Sequence, residues 1–243
     1  MGFLPGTISR RRIYLMRHGH VDYFNPPIID GEPDTTQVNL TERGQGEARA
    51  AGEALKAIRF DKAVCSGYPR TYQTAEGVLA AQGDHAPALE IDADFRELKS
   101  GDFNFGHLLT QHSLSEALVG AFDEAWSAGV DGSLGEGGER FLDGLTRALA
   151  GLDRLIANSD WATALVVAHE GINRLLLSHI ASGSVNAAGA FEQDLACINI
   201  IDLDMAEDGS VRRIALKAVN VTGLNPVKDG MVLNSIEDIF GKH

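Results

Sequence analysis

The stretch Ile13-Tyr14-Leu15-Met16-Arg17-His18-Gly19 runs four apolar residues straight into an arginine, a histidine and a glycine. A short apolar run without polar alternation reads as a strand buried on both faces, and the glycine as the turn that ends it. Two side chains able to bind or attack an anion are thereby set at the end of a buried strand. The remaining segments of the chain decide whether that placement is an accident.

After a loop rich in Pro, Gly and Asp (about 22 to 39), Thr41 reads as a helix N-cap, with Ala48, Ala51, Leu55 and Ile58 at helical spacing behind it. A second strand is expected over Lys62 to Cys65, a helix from Pro69 to Ala81 with proline tolerated in its first turn, and a third strand at Leu89 to Ile91. Residues from about 102 to 138 break the rhythm: a helix is expected near Leu114 to Trp126, then Gly129, Gly132, Gly135, Gly137 and Gly138 crowd one stretch. The alternation resumes with a helix over 139–156, an apolar strand over Ala164 to Ala168, a helix over 172–180 and two strands near 196–203 and 211–219. The tail after Asn220 reads as irregular, with a short helix at Ser235 to Phe240. Strands alternating with helices over short connections imply a three-layer α/β fold, an open, mostly parallel sheet with helices on both faces. The expected organisation is one domain over 1–243, with a small helical cap inserted at about 102–138.

In such sheets ligands bind outside the carboxyl ends of the strands. The expected strands deliver Arg17 and His18, then Ser66, Tyr68 and Arg70, then Arg96 and Glu97, then His169 to that edge. Guanidiniums present a fork of donors that suits phosphate oxygens. An imidazole kept neutral by neighbouring positive charge can attack phosphorus. A second imidazole can donate to the charge that builds up on the transferring group, and a carboxyl group can protonate the leaving oxygen. Each residue also has a plain reading alone: Arg70 as a surface residue at a helix start, His169 as a hydrogen-bonded histidine at a strand end. Their convergence on one edge is what carries the functional expectation.

These segments resemble, in order, the signature segments of the histidine phosphatase superfamily, also called the phosphoglycerate-mutase-like fold. The matching stretches are Ile13 to Gly19, Leu40-Thr41-Glu42-Arg43-Gly44, Cys65 to Ala75, Phe95-Arg96-Glu97 with Gly101 beyond it, Gly138-Glu139, and Val166-Val167-Ala168-His169-Glu170-Gly171. The resemblance implies His18 as nucleophile, Arg17, Arg70 and His169 as the phosphate pocket, and Glu97 as proton donor. Asn25 is a further candidate phosphate contact. The chain departs from the family pattern at His20 and Val21, at Asp102 to Gly106, and at Glu170, where glycine or asparagine is common.

The 243 residues carry a formal net charge of -13, which argues against nucleic acid and against an anionic membrane surface as partners. The apolar N-terminus precedes Arg10-Arg11-Arg12 rather than following it, the wrong order for a secretory signal. Two cysteines with no metal-type or disulfide-type spacing fit a reduced, cytoplasmic setting without a bound metal. No cofactor is expected. From Ser100 to Glu139 there is no Lys or Arg but seven acidic residues. A cation-free cap should repel a second phosphate or a carboxylate, which favours hydrolysis of a small monophosphate over a phosphoglycerate-type mutase. Other readings are a non-catalytic phospho-ligand-binding module and a metallohydrolase using His18, His20, Asp22 and His169. The irregular tail leaves room for a homodimer.

Overall fold

The computed structural model describes residues 4–101, 120, 122 and 124–240. Its central sheet has six strands: β1 (Ser9–Arg17), β4 (Lys62–Cys65), β5 (Leu89–Ile91), β6 (Thr163–Ala168), β7 (Ile198–Met205) and β8 (Val211–Val221). A two-stranded ribbon, β2 (Ile28–Ile29) with β3 (Glu32–Pro33), lies in the early loop. The sheet order is β5-β4-β6-β1-β7-β8. The pairs β4/β5, β4/β6 and β1/β6 are parallel, whereas β1/β7 and β7/β8 are antiparallel. The expected mostly parallel sheet is therefore present: β7 alone runs against the others, and a tight turn at Asp208-Gly209, Gly209 taking φ 82°, sends the chain back as β8 in the direction of β1.

Strand alternation sorts the core into two layers. Ile13 and Leu15 of β1, with Val166 and Ala168 of β6, pack on α3 (Phe141–Ala157) and α4 (Glu170–Ser182) through Leu145, Ala148, Ile172 and Leu175. Tyr14, Met16, Leu165 and Val167 point the other way onto α1 (Glu42–Leu55) and α2 (Pro69–Leu79) through Ala51, Leu55, Ala75 and Val78. Both faces of the sheet are covered along Ile13–Met16 of β1 and Ala164–Ala168 of β6, which is why these stretches are apolar without alternation.

The first strand begins at Ser9 rather than Ile13. Arg10-Arg11-Arg12 belong to it, and β7 supplies partners for two of the three. Arg12 donates to both oxygens of Asp202 (2.7 and 3.0 Å), and Arg10 donates to Asp204 at 2.7 Å. Arg11 points to the opposite face and donates to the carbonyls of Ile156 and Asn158, at the C-terminus of α3, where a cation is favoured.

Helix ends follow the expected chemistry. Thr41 caps α1, its Oγ1 accepting from Gly44 N at 3.2 Å, and Pro69 opens α2. Of the helix expected near Leu114 to Trp126, residues 114–119, 121 and 123 lie outside the described residues; Gly120, Phe122 and Glu124–Ser127 are helical. Residues Ser235–Phe240 form α5, as expected.

Candidate active site

The four parallel strands all end on one edge of the sheet, and the candidate residues sit just past those ends. His18 follows β1, Ser66 and Arg70 follow β4, Glu97 follows β5 by way of a short 3-10 turn (Ala93–Phe95), and His169 follows β6. The loop carrying His18 can reach α1 only because two glycines meet there: a Cβ on Gly44 would lie 2.2 Å from the His20 carbonyl oxygen, and one on Gly19 would lie 2.6 Å from that of Gly44. Gly44→Ala therefore forces the His18 loop away from α1. The expected result is a loss of about 1–3 kcal/mol in denaturant unfolding together with a drop in turnover.

The hydrogen bonds fix which nitrogen of His18 carries the proton. Its Nδ1 lies 2.7 Å from the Gly19 carbonyl oxygen, which can only accept, so Nδ1 bears the hydrogen. Its Nε2 accepts from Arg70 Nε at 3.2 Å. Nε2 is thus the atom with a lone pair, and a guanidinium stands beside it. The side chain is only 2% exposed. Burial, then the charges of Arg70 and Arg17, hold its pKa well below the ordinary imidazole range, so the ring is neutral.

The same reasoning orients His169. Thr71 Oγ1 donates to the Tyr68 carbonyl at 2.9 Å, so Ser66 Oγ must donate to Thr71, at 2.9 Å. Ser66 then accepts from His169 Nε2 at 2.8 Å. His169 Nδ1 is buried and has no hydrogen-bond partner among the described residues, and the same holds for Arg17 Nε. Buried polar atoms are nearly always paired, with ordered water or a ligand where the protein itself offers no partner. The rings of His18 and His169 meet edge to face, centroids 5.3 Å apart. Burial, then Arg70, also holds His169 well below the usual range.

Both arginines are buried and held from behind. Arg17 donates to the Gln193 carbonyl and pairs through Nη2 with Glu170 at 3.0 Å. Arg70 donates to the carbonyls of Thr35 and Thr36 (3.2 and 3.3 Å) and lies over the Tyr68 ring at 4.7 Å. Thr74 ties the two parts together, accepting from Gly19 N at 3.1 Å and donating to the Arg70 carbonyl at 2.7 Å.

Glu97 does two things at once. Its carboxylate accepts from the backbone N–H groups of Leu98 (2.9 Å), Gly171 (3.2 Å) and Ile172 (3.3 Å), so it caps the N-terminus of α4, the helix that follows His169. Burial pushes its pKa up, and the N–H groups of Leu98 and Gly171 pull the other way; the net direction is up.

The structure thus brings Arg17, His18, Arg70, Glu97 and His169 together. It does not bring Asn25: that residue is exposed, and its amide donates to Asp22 at 2.8 Å, on the outside of the early loop. The metal-type set is not assembled either. His20 Nδ1 is engaged with Thr41 Oγ1 at 2.8 Å, and Asp22 accepts from Phe24 N and Asn25. Among the described residues no group of three or more His, Cys, Asp or Glu side chains is arranged to hold a metal ion.

Three participants are not legible in the sequence: Thr71 and Thr74, which look like ordinary helix residues, and the Glu170 ion pair to Arg17. The one available signal for the last is a carboxylate beside His169 where the family pattern has a small residue. Of the acidic residues expected to form a repelling cap, Asp102, Glu116 and Asp123 lie outside the described residues; Glu124, Asp131 and Glu136 are exposed to solvent, and Phe122, Trp126 and Leu134 from the same stretch line the cavity.

A neutral imidazole flanked by two buried guanidiniums, a second imidazole and a carboxyl group with a raised pKa define an α/β enzyme of phosphoryl chemistry. The chain belongs to the histidine phosphatase superfamily, branch 1, whose family model matches residues 13–215. It is 28% identical over 194 residues to the adenosylcobalamin/alpha-ribazole phosphatase of Salmonella typhimurium, covering 79% of this chain and 90% of that one. It is 28% identical over 180 residues to a probable phosphoglycerate mutase, GpmB, of Erwinia tasmaniensis, covering 72% and 77%. The fold is similar to that of mycobacterial glucosyl-3-phosphoglycerate phosphatase, with a TM-score of 0.69 at 24% identity over 87% of this chain and 99% of that one.

Proposed function

We propose that the protein hydrolyses a small phosphomonoester through a phosphohistidine on His18. The observation that carries this is the locked tautomer of His18, Nδ1–H on Gly19 and the lone pair on Nε2 beside Arg70. In the first step Nε2 attacks phosphorus, the bond from phosphorus to the ester oxygen breaks, and Glu97 gives that oxygen its proton. In the second, water attacks the phosphohistidine, Glu97 takes the water's proton, and the P–N bond breaks to release phosphate and free His18. Arg17 and Arg70 hold the non-bridging oxygens, and His169 donates through Nδ1 once the incoming dianion raises its pKa. Glu97 near that dianion is raised further, toward the protonated form the first step requires.

The positive charge for the transition state comes from side chains, so p-nitrophenyl phosphate is expected to be hydrolysed after exhaustive chelation. Absence of hydrolysis, with measurable binding of a phosphate ester, would favour the phospho-ligand-binding reading. A second expectation concerns pH. Because burial and the two arginines keep His18 neutral below its usual range, the acid limb of kcat/KM, corrected for substrate ionisation, falls below pH 6.5. A limb at 6.5 or above would mean that His18 titrates as an exposed imidazole.

We read the chain as one domain with residues 102–138 inserted, working in the cytoplasm. Cys65 and Cys197 are both buried free thiols, and burial pushes Cys197 up to about 12, which suits a reducing compartment. Among the described residues no helix is long and apolar enough to cross a membrane. Leu224, Val227 and Val232 are exposed on the tail and support the homodimer reading, which sedimentation tests.

A further inference from the structure

The cavity that starts at His18 has a volume of about 470 Å³, within the range of sites that bury a drug-sized ligand. Reacting groups and hydrocarbon share its lining: Arg17, His18, Arg70 and Glu97 on the one hand, and Leu98, Phe122, Trp126, Leu134, Ile236 and Ile239 on the other. Among the described lining residues the other cation is Lys99, an exposed side chain. Two carboxylates, Glu97 and Glu170, border the same space.

We infer that this apolar wall is a leaving-group subsite, and that the physiological substrate is the monophosphate of an alcohol carrying an extended apolar or aromatic group. The inference rests on the phosphatase reading and adds the substrate class to it. Away from the phosphate-binding arginines, a second phosphate or a carboxylate on the substrate would meet hydrocarbon, with Lys99 as the further cation among the described lining residues. An apolar group would instead be removed from water against six apolar side chains.

The origin of the wall supports a role in specificity. Five of the six residues come from outside the β/α frame: Phe122, Trp126 and Leu134 from the insertion, and Ile236 and Ile239 from α5, beyond residue 215 where the family match ends. Helix α5 is fastened at both ends. Ser235 Oγ donates to Glu170 (3.3 Å to Oε2) and Ser235 N donates to Glu192 at 3.1 Å, while Asp238 accepts from Arg43 at 2.6 Å. Glu170 is also the partner of Arg17 and of Arg174, so the wall is held in register with the Arg17 guanidinium. The unusual carboxylate beside His169 thus acquires a role as a positioning residue between the reacting groups and the wall.

The test compares n-hexyl phosphate with ethyl phosphate, two alkyl esters whose leaving alcohols are equally poor and differ only in apolar length. Wild-type kcat/KM is expected to favour the hexyl ester by at least about tenfold. In the double variant Ile236→Ser, Ile239→Ser the ratio moves toward one. Calorimetry on the wild type with hexylphosphonate and methylphosphonate, whose C–P bonds resist hydrolysis, reads the wall without turnover and without a variant; the hexyl compound is expected to bind at least about tenfold tighter. Equal hydrolysis of both esters overturns the subsite while leaving the phosphatase reading intact. Tighter hexylphosphonate binding with neither ester hydrolysed keeps the subsite and overturns the phosphatase reading. Equal affinity for the two phosphonates overturns the subsite outright.

Discussion

Replacing His18 with alanine lowers turnover of p-nitrophenyl phosphate on the order of 10⁵-fold or more, the scale seen when a covalent nucleophile is removed. No other group replaces it. The ring is buried, its Nδ1 is committed to Gly19, and its Nε2 is the atom placed against Arg70. The second imidazole also has a bare nitrogen, so His169→Ala is the informative companion: it should slow formation of the phosphoenzyme without preventing it, because His169 stabilises charge rather than forming the bond. Chemical quench with radiolabelled substrate distinguishes the two. Label retained by His169→Ala and lost by His18→Ala is the expected pair. The reverse would exchange the roles of the two histidines.

Glu97→Gln separates substrates by their leaving groups. An alkyl phosphate must have its departing oxygen protonated, and its turnover should fall about 10²–10⁴-fold. Nitrophenolate leaves unaided, so p-nitrophenyl phosphate should lose far less in the first step. Equal losses on both would remove Glu97 as the acid. The substitution also touches the cap of α4, where the carboxylate accepts three backbone N–H groups. The amide keeps an acceptor oxygen but presents its own N–H₂ to a donor, so a stability loss of about 1–2 kcal/mol should accompany the kinetic change. A thermal melt separates that effect from the chemistry, since a loss confined to folding would not depend on the leaving group.

The frame is legible in the sequence because its strands are short, apolar and bounded by turns. Lys62 to Cys65 and Leu89 to Ile91 have the same bounds in the sequence pattern and in the fold. The convergence of Arg17, His18, Arg70, Glu97 and His169 comes from the parallel topology alone. The features that are not legible depend on partners distant in the chain. The apolar run marks the first strand only from Ile13, and Ser9 to Arg12 join it because Asp202 and Asp204 lie opposite. Asn25 looks available for phosphate, but local bonding to Asp22 turns it outward. The composition of residues 102–138 cannot say which of its side chains face inward, and so does not show that Phe122, Trp126 and Leu134 line the cavity. Thr71 and Thr74 lie within the matching stretch Cys65 to Ala75, but their roles arise only after α2 is seated beside β1 and β6.

The place of β1 in the middle of the sheet has a consequence during synthesis. Its neighbours are β6 and β7, and its nearest parallel partner begins about 150 residues later. At roughly 5–20 residues per second the strand waits about 7–30 s for its first partner. Through that interval Ile13 to Met16 is an apolar segment with both edges open, the kind of sequence that pairs with other chains. Arg10-Arg11-Arg12 sits directly before it. The charges that later lock onto Asp202 and Asp204 act first as a gatekeeper, keeping nascent chains apart until the rest of the sheet has been made.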